Sequence, residues 1–196
     1  MKVNETKKQI LKALRECGGY LSGEILSNQL GTSRVSIWKH IRSLKEDGYI
    51  IEASPRGYRL VFSPDLLLPY EFPGLEQRIH YFPEISSTMD AARELAKKGA
   101  GEGTIVIAEA QTRGRGRLSR EWLSPGGGIY FTLVLRPGIS PAYAPRINLM
   151  ASIAVVATIR KLFGLKAELK WPNDVLIEGR KVCGILAEMD AEMDVV

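Results

Sequence analysis

Three short amphipathic helices at the start of the chain, separated by glycines, constrain the fold most. Apolar residues recur at helical spacing in each of them, and Gly18-Gly19 and Gly31 stand where the first two should end. Ser22, and Thr32 or Ser33, stand where the second and third should begin, as N-cap residues. The predicted helices cover about residues 6–16, 23–30 and 34–46. Two short helices joined by a turn that contains a glycine are typical of a helix-turn-helix.

A strand-turn-strand pattern follows the third helix. Residues 49–52 and 57–61 have the composition of two strands, and Ser54-Pro55-Arg56-Gly57 provides a turn between them. We therefore predict a winged helix-turn-helix domain over residues 1–63. The proline- and glycine-containing stretch after it predicts a linker over residues 64–75.

The positive charge of the chain is concentrated in this predicted domain. The net charge is +5; residues 1–62 hold 11 Lys and Arg against 6 Asp and Glu, whereas the rest holds 16 against 16. A basic domain of this kind indicates a polyanionic partner, and the winged-helix pattern favours DNA. A three-helix bundle with a solvated basic face is the alternative, and Trp38 fits either the core or a position beside the DNA-facing side. The predicted DNA contacts are polar and cationic residues of the third helix, its cap and the wing tip, namely Ser33, Arg34, Ser36, Lys39, His40, Arg42 and Arg56.

Beyond the linker, strand and helix patterns alternate. Strands are predicted near residues 79–82, 104–109, 129–135, 175–177 and 182–188, and helices near 88–98 and 143–163. This order predicts an α+β fold with a mixed sheet packed by helices. A composition of 45% hydrophobic and 25% charged residues excludes a disordered chain. We expect Cys17 and Cys183 to be reduced thiols, and, since no apolar run reaches the ~18 residues of a membrane span, we expect a cytoplasmic protein without a membrane partner.

A loop between two of the predicted strands carries an unusual density of arginine and glycine. Residues 113–120 contain four arginines and two glycines. Backbone N–H groups and guanidinium groups presented together suit an anionic ligand such as a phosphate or a carboxylate. The loop lacks the Gly-Lys-Ser/Thr of a Walker A motif, and Ser119 breaks the G-x-G-x-x-G pattern. A basic loop that binds RNA or DNA is the alternative.

Several segments together carry a resemblance to a known family. Gly114-Arg115-Gly116-Arg117-Leu118-Ser119-Arg120-Glu121-Trp122 is followed by Lys170-Trp171-Pro172-Asn173-Asp174 and by RKVCGILAE at residues 180–188. With Ser87-Thr88 at the head of a helix, these segments closely resemble the biotin protein ligases. Because a winged helix precedes them, the chain resembles the bifunctional bacterial type, which is both a biotin ligase and a biotin-responsive repressor. The resemblance spans about residues 5–190.

The resemblance implies a biotin/lipoyl-ligase-like catalytic domain over residues 76–196 and a two-step reaction. Biotin reacts with ATP, in the presence of Mg²⁺, to give biotinyl-5'-AMP and pyrophosphate. Biotin then passes to a lysine of the biotin carrier domain of an acetyl-CoA-carboxylase-type enzyme. Because the attacking group is already a carboxylate, the first step needs cations and backbone donors rather than a protein nucleophile. We expect no metal-ligating residues in the chain itself.

The resemblance also implies which residues bind the substrates. Ser87, Thr88 and Gln111 are expected to hydrogen-bond the ureido ring of biotin, although a helix N-cap explains Ser87 or Thr88 equally well. The complete predicted substrate-binding set is Ser87, Thr88, Gln111, Gly114, Arg115, Gly116, Arg117, Arg120, Trp122, Lys170 and Gly184.

Three cations of that set are predicted to be catalytic. Arg115 and Arg117 should clamp the biotin carboxylate and the phosphates, and Lys170 should bridge the carboxylate and the α-phosphate. Trp122 is expected to stack on adenine, and Gly184 to let a strand approach the ligand closely. Lys170 as an ordinary surface lysine is the alternative.

The two predicted domains have a joint role in the family that the chain resembles. Adenylate binding promotes a homodimer through the ligase domain, and the dimer binds a two-fold operator. A biotin-sensing DNA-binding regulator without ligase activity, and a relative of the lipoate ligases, are the alternatives. Since the chain ends inside the ligase domain, we expect the small C-terminal β-barrel of the family to be absent.

Overall fold

The chain folds into two compact units, Met1–Gln77 and Arg78–Val196, in a computed structural model. The structure describes residues 4–190, except for the side chain of Pro141. No helix in this described range is both long and apolar enough to span a membrane.

The first unit is a winged helix-turn-helix, as the sequence predicts. Its helices are α1 (Glu5–Cys17), α2 (Gly23–Gln29) and α3 (Arg34–Glu46). The side chains of Asn4, Ser22 and Ser33 each accept a hydrogen bond from the backbone N–H three residues later, which fixes where each helix begins. Strands β1 (Ile50–Ser54) and β2 (Gly57–Phe62) pair antiparallel as the wing. The core of the helices consists of buried aliphatic side chains, namely Ile10, Leu11, Leu14, Leu26, Ile37, Ile41 and Leu44.

The residues interpreted above as a linker pack against the first unit. Leu68 and Tyr70 are buried. The Tyr49 hydroxyl donates a hydrogen bond to Glu71 Oε1 at 2.6 Å, and Arg15 Nη2 lies 2.7 Å from the same carboxylate. The two compact units divide after Gln77, so the predicted linker, residues 64–75, belongs to the first unit. We call residues 64–77 the acidic segment.

This later division corrects the charge argument. The acidic segment contains Asp65, Glu71 and Glu76 and no lysine or arginine, so residues 1–77 hold 11 basic against 9 acidic residues and residues 78–196 hold 16 against 13. Lys8 Nζ lies 3.0 Å from Glu76 Oε1, so these carboxylates neutralise basic residues of α1. The excess charge is thus shared between the units, and its position on the surface matters more than its sum.

The second unit is α+β and contains two small sheets. The first has the order β3 (Ile79–Phe82), β4 (Ile105–Ala108), β5 (Tyr130–Leu133), with β3 and β4 parallel and β4 and β5 antiparallel. The second is the antiparallel sheet β6 (Ala167–Lys170), β7 (Asp174–Ile177), β8 (Arg180–Gly184). Helices α4 (Thr88–Lys97) and α5 (Pro145–Phe163) complete the unit. Across the two units, 3₁₀ turns occur at Pro69–Glu71, Glu76–Arg78, Arg117–Ser119 and Pro141–Tyr143. The predicted fold class is confirmed, but the strands divide between a mixed and an antiparallel sheet.

Helix α4 packs on the mixed sheet and carries one end of the candidate site. Ala92 and Ala96 of the helix, with Val106 of β4 and Val134 after β5, form a buried cluster. Two alanines let the helix approach the sheet closely, which fixes the position of its N-terminus.

Candidate functional site

The exposed face of α3 is the candidate DNA-binding surface. Ile37, Ile41 and Leu44 are buried, so the opposite side of the helix faces outward. Successive residues lie about 100° apart around a helix axis, which makes the exposed residues of the first three turns one continuous stripe. They are Arg34, Val35, Trp38, Lys39 and Arg42. Ser33, exposed at the N-cap, and Arg56, exposed at the wing tip, complete the predicted contacts on the surface.

Two predicted contacts lie at the margin of this stripe. Ser36 and His40 are half-buried. Burial, assisted by the charge of Lys7, lowers the pKa of His40, so its imidazole is largely neutral at pH 7. His40 is therefore suited to a hydrogen bond rather than to charge attraction toward a phosphate.

Two apolar side chains occupy the middle of the stripe. Val35 is 63% exposed and Trp38 is 51% exposed. The guanidinium of Arg42 lies 5.9 Å from the centroid of the Trp38 ring. The structure therefore places Trp38 on the surface rather than in the core. A groove of about 500 Å³ runs beside it, lined by Arg34, Val35 and Trp38 of α3, by the start of α2 with Glu24, and by residues of the wing.

The second unit contains a cavity of about 1020 Å³. Its walls come from the head of α4, the loop between β4 and β5, the first half of α5, and β8 with the residues that follow it. The arginine-rich loop thus faces the ends of several elements that are distant in sequence.

An uncharged hydrogen-bond network forms one wall of the cavity. Gln111 Oε1 accepts hydrogen bonds from the backbone N–H of Thr88 at 2.8 Å and from its hydroxyl at 3.0 Å. The Thr88 hydroxyl accepts from Thr132, and Gln111 Nε2 donates to Ser124 Oγ at 3.1 Å. Ser87 is buried and caps α4 through its Oγ, so its cap role holds. Such a wall offers donors and acceptors without charge.

The arginine-rich loop is held in shape by a glycine. The Trp122 N–H donates to Gly114 O at 2.9 Å, and the Gly116 N–H donates to Arg120 O at 2.7 Å, so the loop doubles back as a short hairpin. A Cβ at position 114 would lie 2.3 Å from Trp122 O and 2.6 Å from Ser124 Oγ, which no side chain tolerates. Gly114 is buried behind the lining, whereas Gly116 and Arg120 line the cavity.

Arg115 is held by two carboxylates at the cavity wall. Its Nη2 lies 2.8 Å from Asp90 Oδ1 and 3.6 Å from Glu188 Oε2. Arg93 pairs with the same Glu188 carboxylate. The four side chains form an ion-pair cluster that an anionic ligand would have to compete with.

Arg117 is anchored by a buried amide. Its Nη1 donates to Asn173 Oδ1 at 3.0 Å, and Asn173 is 8% exposed. Asn173 Nδ2 donates to Ile185 O at 3.1 Å, so one amide joins the loop, the β6–β7 turn and the residues after β8.

Lys181 lies over the ring of Trp122, the residue predicted to stack on adenine. Lys181 Nζ lies 4.8 Å from the ring centroid and 2.7 Å from Asp174 Oδ1. A Cβ at Gly184 would lie 3.0 to 3.1 Å from Lys181 and Trp122, so glycine permits this close approach. Lys181, Trp122 and Gly184 all line the cavity.

Lys170 is the predicted site residue that the structure sets apart. It ends β6 opposite Asp174, is exposed, and is absent from the cavity lining among the described residues. Lys181, on β8, the antiparallel neighbour of β7, is a cation that does line the cavity. Both lysines belong to motif segments, and only the pairing of the strands decides which one faces the cavity.

Several residues of the site were not among the predicted site residues. They include Asp90, Arg93, Asn173, Lys181 and Glu188. Asn173, Lys181 and Glu188 lie within the motif segments, which was a usable signal. The carboxylate partners were not predictable, because an ion pair between α4 and the loop depends on tertiary packing.

Neutral donors and acceptors on one wall, beside Arg115, Arg117 and Lys181, suit a ligand with an uncharged polar head and an anionic tail. No group of three or more His, Cys, Asp or Glu side chains in residues 4–190 is placed to hold a metal ion.

The chain thus combines a winged helix-turn-helix with an α+β unit whose cavity is lined by several cationic side chains. Residues 81–195 match the biotin/lipoate A/B protein ligase family, and residues 6–59 match an HTH domain. The chain belongs to the biotin/lipoate A/B protein ligase family, which confirms the resemblance.

Similar proteins have the same two-part organisation in their names. The chain is 43% identical to the bifunctional ligase/repressor BirA of Bacillus subtilis over 96% of its own length and 61% of that protein, and 36% identical to the Escherichia coli BirA over 96% and 60%. It therefore spans about three-fifths of these relatives.

Solved structures of biotin protein ligases resemble the fold. The Aquifex aeolicus enzyme in complex with biotin and ATP superimposes with a TM-score of 0.53 at 33% identity, over 60% of this chain and 48% of that one. The Leishmania major enzyme in complex with biotinyl-5-AMP gives 0.54 at 28% identity, over 60% and 53%.

Proposed function

We propose that the chain belongs to an ATP-dependent biotin protein ligase that is also a biotin-responsive transcriptional repressor. The observation that carries the ligase proposal is one cavity with two chemically different walls. The neutral Thr88–Gln111 network suits a ureido ring, and Arg115, Arg117 and Lys181 suit a carboxylate and phosphates. The names of the relatives support the assignment.

In the first step, a carboxylate oxygen of biotin attacks the α-phosphorus of ATP. A P–O bond forms, the bond to the β-phosphate oxygen breaks, and pyrophosphate leaves with the electron pair. Two anions must approach each other, so the contribution of the protein is to hold them in place and to stabilise the charge on the α-phosphate. Arg115 and Arg117 are the proposed clamp, with the backbone N–H groups of the loop.

The ion pairs of Arg115 with carboxylates of the cavity wall affect this step. Asp90 and Glu188 keep Arg115 in place while no substrate is bound, and a phosphate would replace them as its partner. Trp122 and Arg120 line the same cavity, and we propose that they contact the nucleotide. Gly184 leaves room beside Trp122.

In the second step, the amine of a lysine on a carboxylase biotin carrier domain attacks the acyl carbon of biotinyl-5'-AMP. An amide bond forms, the bond between the acyl carbon and the phosphate oxygen breaks, AMP leaves with the electron pair, and the amine releases a proton to solvent. We propose this acceptor because the relatives are named as biotin–[acetyl-CoA-carboxylase] ligases or ligase/repressors.

We propose Lys181 rather than Lys170 as the cation that bridges carboxylate and α-phosphate, because Lys181 lines the cavity. Lys181→Ala should lower the adenylation rate by about 100-fold or more, the cost of removing one preorganised donor. Lys170→Ala is the matched control and should change the rate by less than about threefold. Biotin affinity should change far less than the rate in both variants. The reverse order of the two variants would return the role to Lys170.

Biotin-dependent exchange of labelled pyrophosphate into ATP tests the ligase proposal without a carrier domain. Exchange that requires biotin and Mg²⁺ and is absent with lipoate supports it. Exchange with lipoate instead would make the chain a relative of the lipoate ligases. A folded chain that binds biotin but shows no exchange would be a sensor without ligase activity.

Three further features belong to the proposal. Mg²⁺ would enter with the phosphates of ATP and lower their negative charge. We also propose a cytoplasmic location, because ATP and a carboxylase carrier domain are the proposed substrates. Adenylate binding would promote a homodimer through the second unit.

The repressor proposal rests on the exposed cationic stripe of α3. Biotin with ATP should strengthen both dimerisation and binding to a two-fold operator, measured by sedimentation and by fluorescence anisotropy. Operator affinity that is the same with and without biotin and ATP would refute the coupling.

A further inference from the structure

We propose that Val35 and Trp38 form an apolar contact that recognises thymine methyl groups in the major groove. The proposal rests on DNA binding by the first unit and specifies what α3 recognises there. The DNA contacts predicted from the sequence are all polar or cationic.

Val35 and Trp38 are exposed apolar side chains. They lie on the exposed face of α3, and more than half of each is exposed. Exposed tryptophan on a helix of a small unit leaves apolar surface in water, at a free-energy cost that burial against a ligand would remove. Trp38 lies one turn after Arg34, near the N-terminal end that such helices present to base edges.

Cationic side chains surround Val35 and Trp38. Arg34, Lys39 and Arg42 lie on the same stripe, and Arg56 lies at the tip of the wing. Arg34, Lys39 and Arg56 form no ion pair with any residue within 4–190. Arg42, which lies over Trp38, pairs with Glu46. An apolar centre beside three cations without ion pairs matches the chemistry of a base edge between two phosphate backbones better than that of an apolar protein surface.

The two apolar side chains match one apolar feature of DNA base edges. Among base edges in the major groove, the 5-methyl group of thymine is the apolar feature, and it is the one that alkyl and aromatic side chains contact. The groove of about 500 Å³ between α3 and the wing has Val35 and Trp38 in its wall, so a base edge beside α3 would meet both.

The test replaces thymine by deoxyuridine, which removes only the methyl group. The probe is a duplex selected by the full chain, with biotin and ATP, from a pool of randomised DNA. Matched duplexes with deoxyuridine at single thymine positions are then compared by fluorescence anisotropy. Each methyl group that is buried on Val35 or Trp38 should contribute about fourfold in affinity.

A double-mutant cycle assigns the methyl contact to these side chains. In Trp38→Ala the fourfold difference between thymine and deoxyuridine should disappear at one position, and in Val35→Ala at the same or an adjacent position. Trp38→Phe keeps an apolar ring and should retain part of the difference. Lys39→Ala, a phosphate-type control, should weaken both duplexes equally and reduce the salt dependence. Circular dichroism and melting curves check that each variant folds.

The outcomes separate the two levels of the proposal. If the full chain selects no DNA, the repressor function fails. If it binds DNA with equal affinity for thymine and deoxyuridine at every position, or if the Trp38→Ala variant keeps the full difference, the methyl contact is wrong. If Trp38→Ala alters self-association in sedimentation and leaves the thymine preference unchanged, the patch is a protein interface and the proposal is overturned.

Discussion

Two neighbouring glycines of the arginine-rich loop should respond in opposite ways to the same substitution. A Cβ at Gly114 would lie 2.3 Å from Trp122 O and 2.6 Å from Ser124 Oγ. A Cβ at Gly116 would have Arg120 O as its nearest neighbour at 3.6 Å, which is ordinary van der Waals contact. Gly114→Ala and Gly116→Ala therefore differ in sterics and hardly in chemistry.

The expected difference follows from these distances. At position 114 the loop must separate from its own return strand, which breaks the hydrogen bond from the Trp122 N–H to Gly114 O. Overpacking of this kind typically costs about 1–3 kcal/mol of unfolding free energy. For a unit of this size, that lowers the melting temperature by roughly 4–12 °C. At position 116, where φ is −112°, alanine should change the unfolding free energy by less than about 1 kcal/mol, with the sign that favours folding.

Differential scanning calorimetry of the two variants measures the unfolding step, and isothermal titration with biotin measures the site. Gly114→Ala should lose both stability and biotin affinity, because the loop no longer positions Arg115 and Arg117. Equal destabilisation by the two substitutions, or a Gly114→Ala variant that melts with the wild type, would refute the steric argument.

Three other predictions concern ionisable groups. Asp90→Asn removes the carboxylate that lies 2.8 Å from Arg115. It should strengthen ATP binding, measured by titration calorimetry, by up to about fivefold, which is the range of an exposed ion pair. Unchanged affinity would mean that this ion pair does not compete with ATP. Burial and the hydrogen bond to Glu71 raise the pKa of Tyr49. The stability that its protonated form contributes is therefore present below about pH 10 and is lost as pH rises above it. Tyr49→Phe should cost about 1 kcal/mol of unfolding free energy at neutral pH and should reduce the loss of stability at alkaline pH, as measured by thermal melts at a series of pH values. Burial raises the pKa of Cys183, so less thiolate is present at pH 8 and iodoacetamide should label it slowly by mass spectrometry, more slowly still with biotin and ATP; rapid labelling would contradict its half-buried place in the cavity wall.

Local signals account for what the sequence predicted of the first unit. Caps such as Ser22 and Ser33 act within three residues of themselves, so their effect is visible without a partner. The course of residues 64–77 was not predictable in this way. Leu68 and Tyr70 are buried by residues far away in sequence, and prolines beside them resemble those of a free linker.

The candidate site divides along the same line. Thr88, Gln111 and the arginines were predicted from motif segments, and the structure brings them to one cavity. The choice between Lys170 and Lys181 depends on strand register, which a pattern of residues does not contain. Asn173 was interpreted as part of a turn, although its amide joins three segments.

The acidic segment gives the first unit an electric dipole moment. Glu71 and Glu76 lie against α1, whereas Arg34 and Lys39 lie on the outward face of α3. In the proposed encounter with DNA, such a body would experience a torque that turns α3 toward the duplex before any contact forms. Orientation during approach would raise the fraction of productive collisions beyond what a modest net charge alone would give. Neutralising the carboxylates of the acidic segment would raise the net positive charge and reduce this preference for one orientation.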